Sequence, residues 1–103
     1  MDEMVKFETE GENMKLFLYG RLNTTTVNVI TESVLERIVG IKNVYLDIRG
    51  VEYISSSGLR LVLMILNELE DVGGTLTVSR ASDAVMQVFE DTGFSSILDF
   101  EEE

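Results

Sequence analysis

Histidine and cysteine are both absent from this 103-residue chain, and lysine plus arginine number only 8 against 19 aspartates and glutamates. Each absence excludes something. Without histidine the chain lacks the commonest general base and the commonest metal ligand. Without cysteine it has no disulfide and no thiolate ligand, which fits a reducing compartment. A serine nucleophile would need a lysine or carboxylate as its base, and the sequence puts none of Asp47, Glu52 or Lys42 beside a serine. The expectation is a protein that is no enzyme, with no catalytic residue, no metal and no cofactor. The formal net charge of −11 argues against nucleic acid, whose phosphates call for clustered Lys and Arg, and against anionic lipid. It steers basic protein partners, or serves solubility alone. No apolar run approaches the roughly 20 residues that span a bilayer. Met1-Asp2-Glu3 lacks the basic and apolar regions of a signal peptide, so the cytoplasm is the expected address.

What is present is an ordinary globular composition, 45% hydrophobic and 26% charged. A single domain over residues 1–103 is expected, with Glu101-Glu102-Glu103 as a frayed, solvated tail. Val5-Lys6-Phe7-Glu8-Thr9 alternates apolar and polar residues. Met14 to Tyr19 does so in part, and Glu10-Gly11-Glu12-Asn13 supplies a turn, so the two read as an antiparallel hairpin. Gly20-Arg21-Leu22-Asn23 leaves the sheet. Asn23 or Thr24 caps a helix from Thr25 to about Val39, with Val27, Ile30, Val34, Leu35 and Ile38 on one face and Gly40 at its end. Asn43 to Ile48 is a near-continuous apolar run and reads as a central strand covered on both faces. A second helix runs from about Ser57 to Asp71, and Gly73-Gly74 stops it. Thr75 to Ser79 alternates as a short strand. Ser82 or Asp83 caps a third helix, Ala84 to Asp91. Phe94, Ile97, Leu98 and Phe100 form a last strand or helix on the edge. The order β-β-α-β-α-β-α implies an α/β fold, a mixed and mostly parallel sheet joined by right-handed crossovers.

Two features exceed what the fold needs. The second helix is apolar around much of its circumference. Leu59, Val62, Leu63, Leu66 and Leu69 make a sufficient core stripe, and Ile65 is also expected inside. Leu61 and Met64 are either core or an exposed patch for a partner. The second feature is Ser55-Ser56-Ser57-Gly58 at that helix's start. One of the serines is an N-cap and the others decorate a turn, or one accepts a phosphate. The free N–H groups and the helix dipole would tolerate that phosphate without unfolding.

With these residues in view, the chain resembles a STAS domain, specifically a small bacterial anti-sigma factor antagonist. The resemblance covers essentially the whole length. Gly20-Arg21-Leu22-Asn23 is similar to the family's glycine-x-leucine-aspartate turn, and the strand from Val44 to Ile54 leads into Ser55-Ser56-Ser57-Gly58-Leu59, where the family has aspartate-serine-serine-glycine-leucine. Gly73-Gly74 and Phe89-Glu90-Asp91-Thr92-Gly93-Phe94 add to it. The resemblance implies that Ser56 is phosphorylated, with Ser57 the second choice, by an anti-sigma factor that is also a serine kinase. The unphosphorylated antagonist binds that partner and so frees a sigma factor; a phosphatase resets the cycle. The implied partner surface comprises Asn23, Thr24, Ser55, Ser56, Ser57, Gly58, Arg60, Leu61 and Met64. Two residues depart from the pattern, because Ser55 and Asn23 both stand where aspartate is common. The alternative is a constitutive STAS scaffold or transport-accessory module whose serines only cap the helix. A nucleotide sensor lacks a glycine-rich phosphate loop, and a hydrolase using Ser56 ranks last.

Overall fold

The computed structural model describes residues 4–101. Met1–Glu3 and Glu102–Glu103, on which the signal-peptide and tail expectations fall, lie outside the described residues. Strands β1 (Val5–Glu10) and β2 (Asn13–Leu22) form the hairpin, turned by Gly11 at φ 62°. Then follow α1 (Thr24–Arg37), β3 (Asn43–Ile54), α2 (Ser56–Asp71), β4 (Thr75–Ser79) and α3 (Asp83–Thr92). A 3-10 turn at Phe94–Ser96 leads to a two-residue strand β5 (Asp99–Phe100). The sheet order is β1-β2-β3-β4-β5, antiparallel at the first pair and parallel at the other three.

That order decides which face is covered. Four parallel strands laid down in one direction, joined by crossovers of one hand, put every helix on the same side of the sheet. Along β3, Val44, Leu46 and Ile48 are buried beneath the helices, while Tyr45 between them is exposed on the other face. The expectation that β3 is covered on both sides therefore fails. Its near-continuous apolar run is a one-sided strand with an aromatic residue facing outward. Lys6, Phe17, Asp47 and Ser79 make one row across that open face, and Glu8, Lys15, Tyr45, Thr77 and Asp99 make the next.

Both central strands run further than the sequence suggests. Gly20 does not leave the sheet but takes φ 82° inside β2, and β3 continues past Gly50 to Ile54. Phe17 pairs with Asp47 and Leu22 pairs with Ile54, so five steps along β2 match seven along β3. The two extra residues are bulges, and the buried positions record them: Val44, Leu46, Ile48, then Val51, then Ile54. As a result β2 and β3 end side by side, and each hands over to a helix at once.

The core stripe of α2 is Gly58, Leu61, Val62, Ile65 and Leu69, at spacing i, i+3, i+4, i+7, i+11, with Leu59 beside it. Ile65 is inside as expected. Leu63 is 37% exposed and Leu66 is only half-buried, so the expected stripe was rotated. The error arose because a helix with apolar residues at 59, 61, 62, 63, 65, 66 and 69 offers two registers. Periodicity alone ranks them equally.

Candidate functional site

The site is the paired mouth of α1 and α2. Because Leu22 and Ile54 are partners, the next residues, Asn23 and Ser55, are both N-caps. Asn23 Oδ1 accepts the amide of Thr26 at 3.1 Å, and the Asn23 amide donates back to Thr26 Oγ1 at 3.0 Å. The Thr26 hydroxyl also donates to the carbonyl of Arg21 at 2.5 Å. This reciprocal box uses the amide oxygen of Asn23 as an aspartate's carboxylate would be used, so the departure from aspartate keeps the cap.

Ser55 caps α2. Its hydroxyl oxygen accepts the amides of Ser57 at 3.2 Å and Gly58 at 3.5 Å, and its proton goes to the Leu22 carbonyl at 2.8 Å. The Ser55 amide donates to the same carbonyl at 2.9 Å. An aspartate could accept as well but has no proton to give. Serine at this position therefore ties the start of α2 to the end of β2 by one bond more than a carboxylate allows.

The remaining serines divide clearly. Ser57 is half-buried and its hydroxyl meets Thr24 Oγ1 at 2.9 Å, a link between the first turns of the two helices. Ser56 is the first residue of α2 and is exposed; its hydroxyl makes no hydrogen bond among the described residues. Of three adjacent hydroxyls, only Ser56 is uncommitted. Arg60 lies one turn along from Ser56, is exposed, and forms no ion pair among the described residues.

Two of the expected partner residues face inward and are corrected here. Gly58 is buried, and a Cβ there would stand 2.7 Å from Ile54 Cγ1 and 3.0 Å from Leu22 Cβ. Its role is to let α2 lie on the strand ends, not to offer a contact surface. Leu61 is 1% exposed and belongs to the core, reaching the surface only as the floor of a groove. Asn23, Thr24, Ser55, Ser56, Ser57, Arg60 and Met64 keep some surface.

That groove is the feature missed from the sequence. It runs between α1 and α2 with a volume of about 730 Å³, and its α1 wall is Thr24, Val27, Asn28, Thr31, Glu32, Leu35, Glu36 and Val39. The α2 wall is Ser57, Arg60, Leu61 and Met64. The charged positions of α1 read as an ordinary solvated face. Only the 80% exposure of Val39 and the half-burial of Leu35 mark the wall as something else.

The two serines that could serve a hydrolase have no base at hand. The Asp47 carboxylate is on the open sheet face, accepting the Arg49 amide at 3.0 Å and facing Arg80 Nε at 3.8 Å. Lys42 precedes β3, at the opposite end of that strand from Ser55.

Comparisons with known proteins agree with this architecture. The chain is 43% identical to the anti-sigma factor antagonist BtrV of Bordetella bronchiseptica over 58 residues, which is 56% of this chain and half of that protein. Among solved structures, the unphosphorylated anti-sigma factor antagonist SpoIIAA superposes with a TM-score of 0.82 at 24% identity, covering 96% of this chain and 89% of that one. The phosphorylated form of SpoIIAA, a Bacillus cell fate determinant, gives 0.74 at the same identity, covering 96% and 92%. At that identity the likeness is one of fold. The match to the STAS domain extends over residues 4–103, and with the fold and its order of elements already in view, this chain belongs to the STAS domain family.

Proposed function

We propose that this chain is an anti-sigma factor antagonist. It binds an anti-sigma factor when unmodified and is released by phosphorylation of Ser56. The observation that carries the reading is the division of labour among the serines. Ser55 holds the helix and Ser57 holds Thr24, while Ser56 presents a free hydroxyl on the first turn. A phosphate there adds about −1.5 to −2 charges at a helix N-terminus, where the dipole and free N–H groups favour it. The fold survives while the surface changes. The relatives named as anti-sigma factor antagonists, one of them known in unphosphorylated and phosphorylated forms, support the assignment. The partner in this reading is an anti-sigma factor with serine kinase activity, and a serine phosphatase reverses the mark. The chain itself performs no chemistry and the cytoplasm is its place of work.

The test is calorimetry with the cognate anti-sigma factor. Ser56→Asp is expected to weaken binding by at least about ten-fold, while the unfolding midpoint stays within about 2 °C of wild type. Mass spectrometry after incubation with that partner and ATP should find the phosphate on Ser56. Unchanged affinity, with no phosphate on any serine, would leave a constitutive scaffold as the correct description.

A further inference from the structure

We infer that the groove between α1 and α2 is the seat of an amphipathic helix of the partner, one that carries an acidic residue at its Ser56 end and basic residues at the other. This deepens the function proposed above and rests on it. The walls of the groove are two helices that start together at the Thr24–Ser57 bond. Its α1 wall, from Thr24 to Val39, is about 22 Å long, and its α2 wall, from Ser57 to Met64, about 10 Å. A trough between two helices, floored by Val27, Leu35, Leu61 and Met64, takes the apolar ridge of a third. Val39, 80% exposed at the far end, has no use in the fold of this chain.

Charge fixes the occupant and its direction. Of the described residues lining the groove, Arg60 is the only cation, and it stands one turn from Ser56. Glu32 and Glu36, spaced i, i+4 on one face of α1, are its only anions and lie further from the shared helix start. The occupant therefore places a carboxylate by Arg60 and Lys or Arg by Glu32 and Glu36. The arrangement also gives the phosphate on Ser56 a direct effect. It takes over Arg60 and repels the partner's carboxylate, while the basic half of the partner is left where it was. The switch acts on one end of the groove, not along its length.

The experiment uses the full chain and a designed 15-residue amphipathic peptide with a glutamate at one end and two lysines, four residues apart, at the other. A charge-reversed peptide is the comparator. Fluorescence anisotropy should show the first peptide binding at least about ten-fold tighter, with amide NMR shifts gathered at Thr31, Leu35, Arg60 and Met64. Glu32→Lys with Glu36→Lys should abolish that preference. Glu68→Lys with Glu70→Lys, the same change in net charge outside the groove, should leave affinity within about two-fold. Ser56→Asp should weaken the peptide by about five-fold and have little effect on a version lacking its glutamate. Equal binding of both peptides, no binding, shifts elsewhere, equal losses in the two charge pairs, or self-association through the groove in sedimentation would each overturn the inference. The cognate anti-sigma factor separates the two readings. If Ser56→Asp disrupts its binding but the Glu32 and Glu36 changes do not, the groove assignment fails and the phospho-switch stands. If neither matters while the peptide still seats, the groove stands and the switch fails.

Discussion

Asn23 and Ser55 occupy equivalent places, each following the last residue of a strand and each capping a helix, yet the two helix starts are built to different ends. At α1 every polar group of the first turn that can be tied is tied: Asn23 and Thr26 cap each other, and Thr26 also reaches Arg21. At α2 one side chain, Ser55, makes three bonds and thereby leaves its neighbour Ser56 with none. The first start is closed. The second is held closed by a residue adjacent to the one that is open. A cap and a modification site can thus share a loop only if they are different residues, and here they are consecutive.

The comparison breaks most severely at the residue that lets α2 lie on the strands. Gly58→Val drives a branched side chain into Ile54 and Leu22, 2.7 Å and 3.0 Å from its Cβ. Denaturant unfolding should show a loss of about 2–3 kcal/mol. Next is Ser55→Ala, which removes the cap and the bond to the Leu22 carbonyl; about 1.5 kcal/mol is expected from the same measurement. Ser55→Asp sharpens the point. The carboxylate keeps the cap and gains from the helix dipole, but the Leu22 carbonyl loses its hydroxyl donor, so stability should stay within about 1 kcal/mol of wild type. A loss as large as that of alanine would mean that the bond to Leu22 matters more than the cap. Asn23→Ala costs about 1 kcal/mol, because Thr26 can still turn its hydroxyl to Arg21. Thr24→Val is the smallest change. It cuts the exposed bond to Ser57 for about 0.5 kcal/mol, and should make Ser57 a better phosphate acceptor in the mass-spectrometric assay.

Much of this molecule is legible in its residues, and the boundary of legibility is physical. Element order, the hairpin at Gly11, the 75–79 strand, and the stops at Gly73 and Gly93 all depend on local signals and match the structure. What depends on the neighbour across the sheet was not legible. Gly20 and Gly50 look like strand breakers and are interior to strands, because a bulged parallel pair accommodates them. The α2 stripe depends on which of two apolar registers meets the sheet. Cover on one face rather than both follows from strand order, which no single strand encodes. At the candidate site, the serines and their helix were legible, including Ser56 as the residue singled out by family likeness. The capping residue among them was not, since three adjacent serines differ only in backbone geometry. The α1 wall of the groove was hidden for another reason: a glutamate facing a partner and a glutamate facing water read alike.

The two bulges of β3 have a consequence for length rather than chemistry. The meeting of Leu22 with Ile54 rests on seven steps of one strand matching five of its neighbour. Side chains along this stretch can be exchanged for others of similar bulk, but residues cannot be added or removed. A single deletion between Ile48 and Val51 would reverse the inside and outside of everything up to Ile54. Ser55 would then turn from the carbonyl it holds, and Ser56 would no longer stand at the mouth of the groove. The spacing from strand to serine works as a ruler, and in this domain the address of the switch is written in residue count.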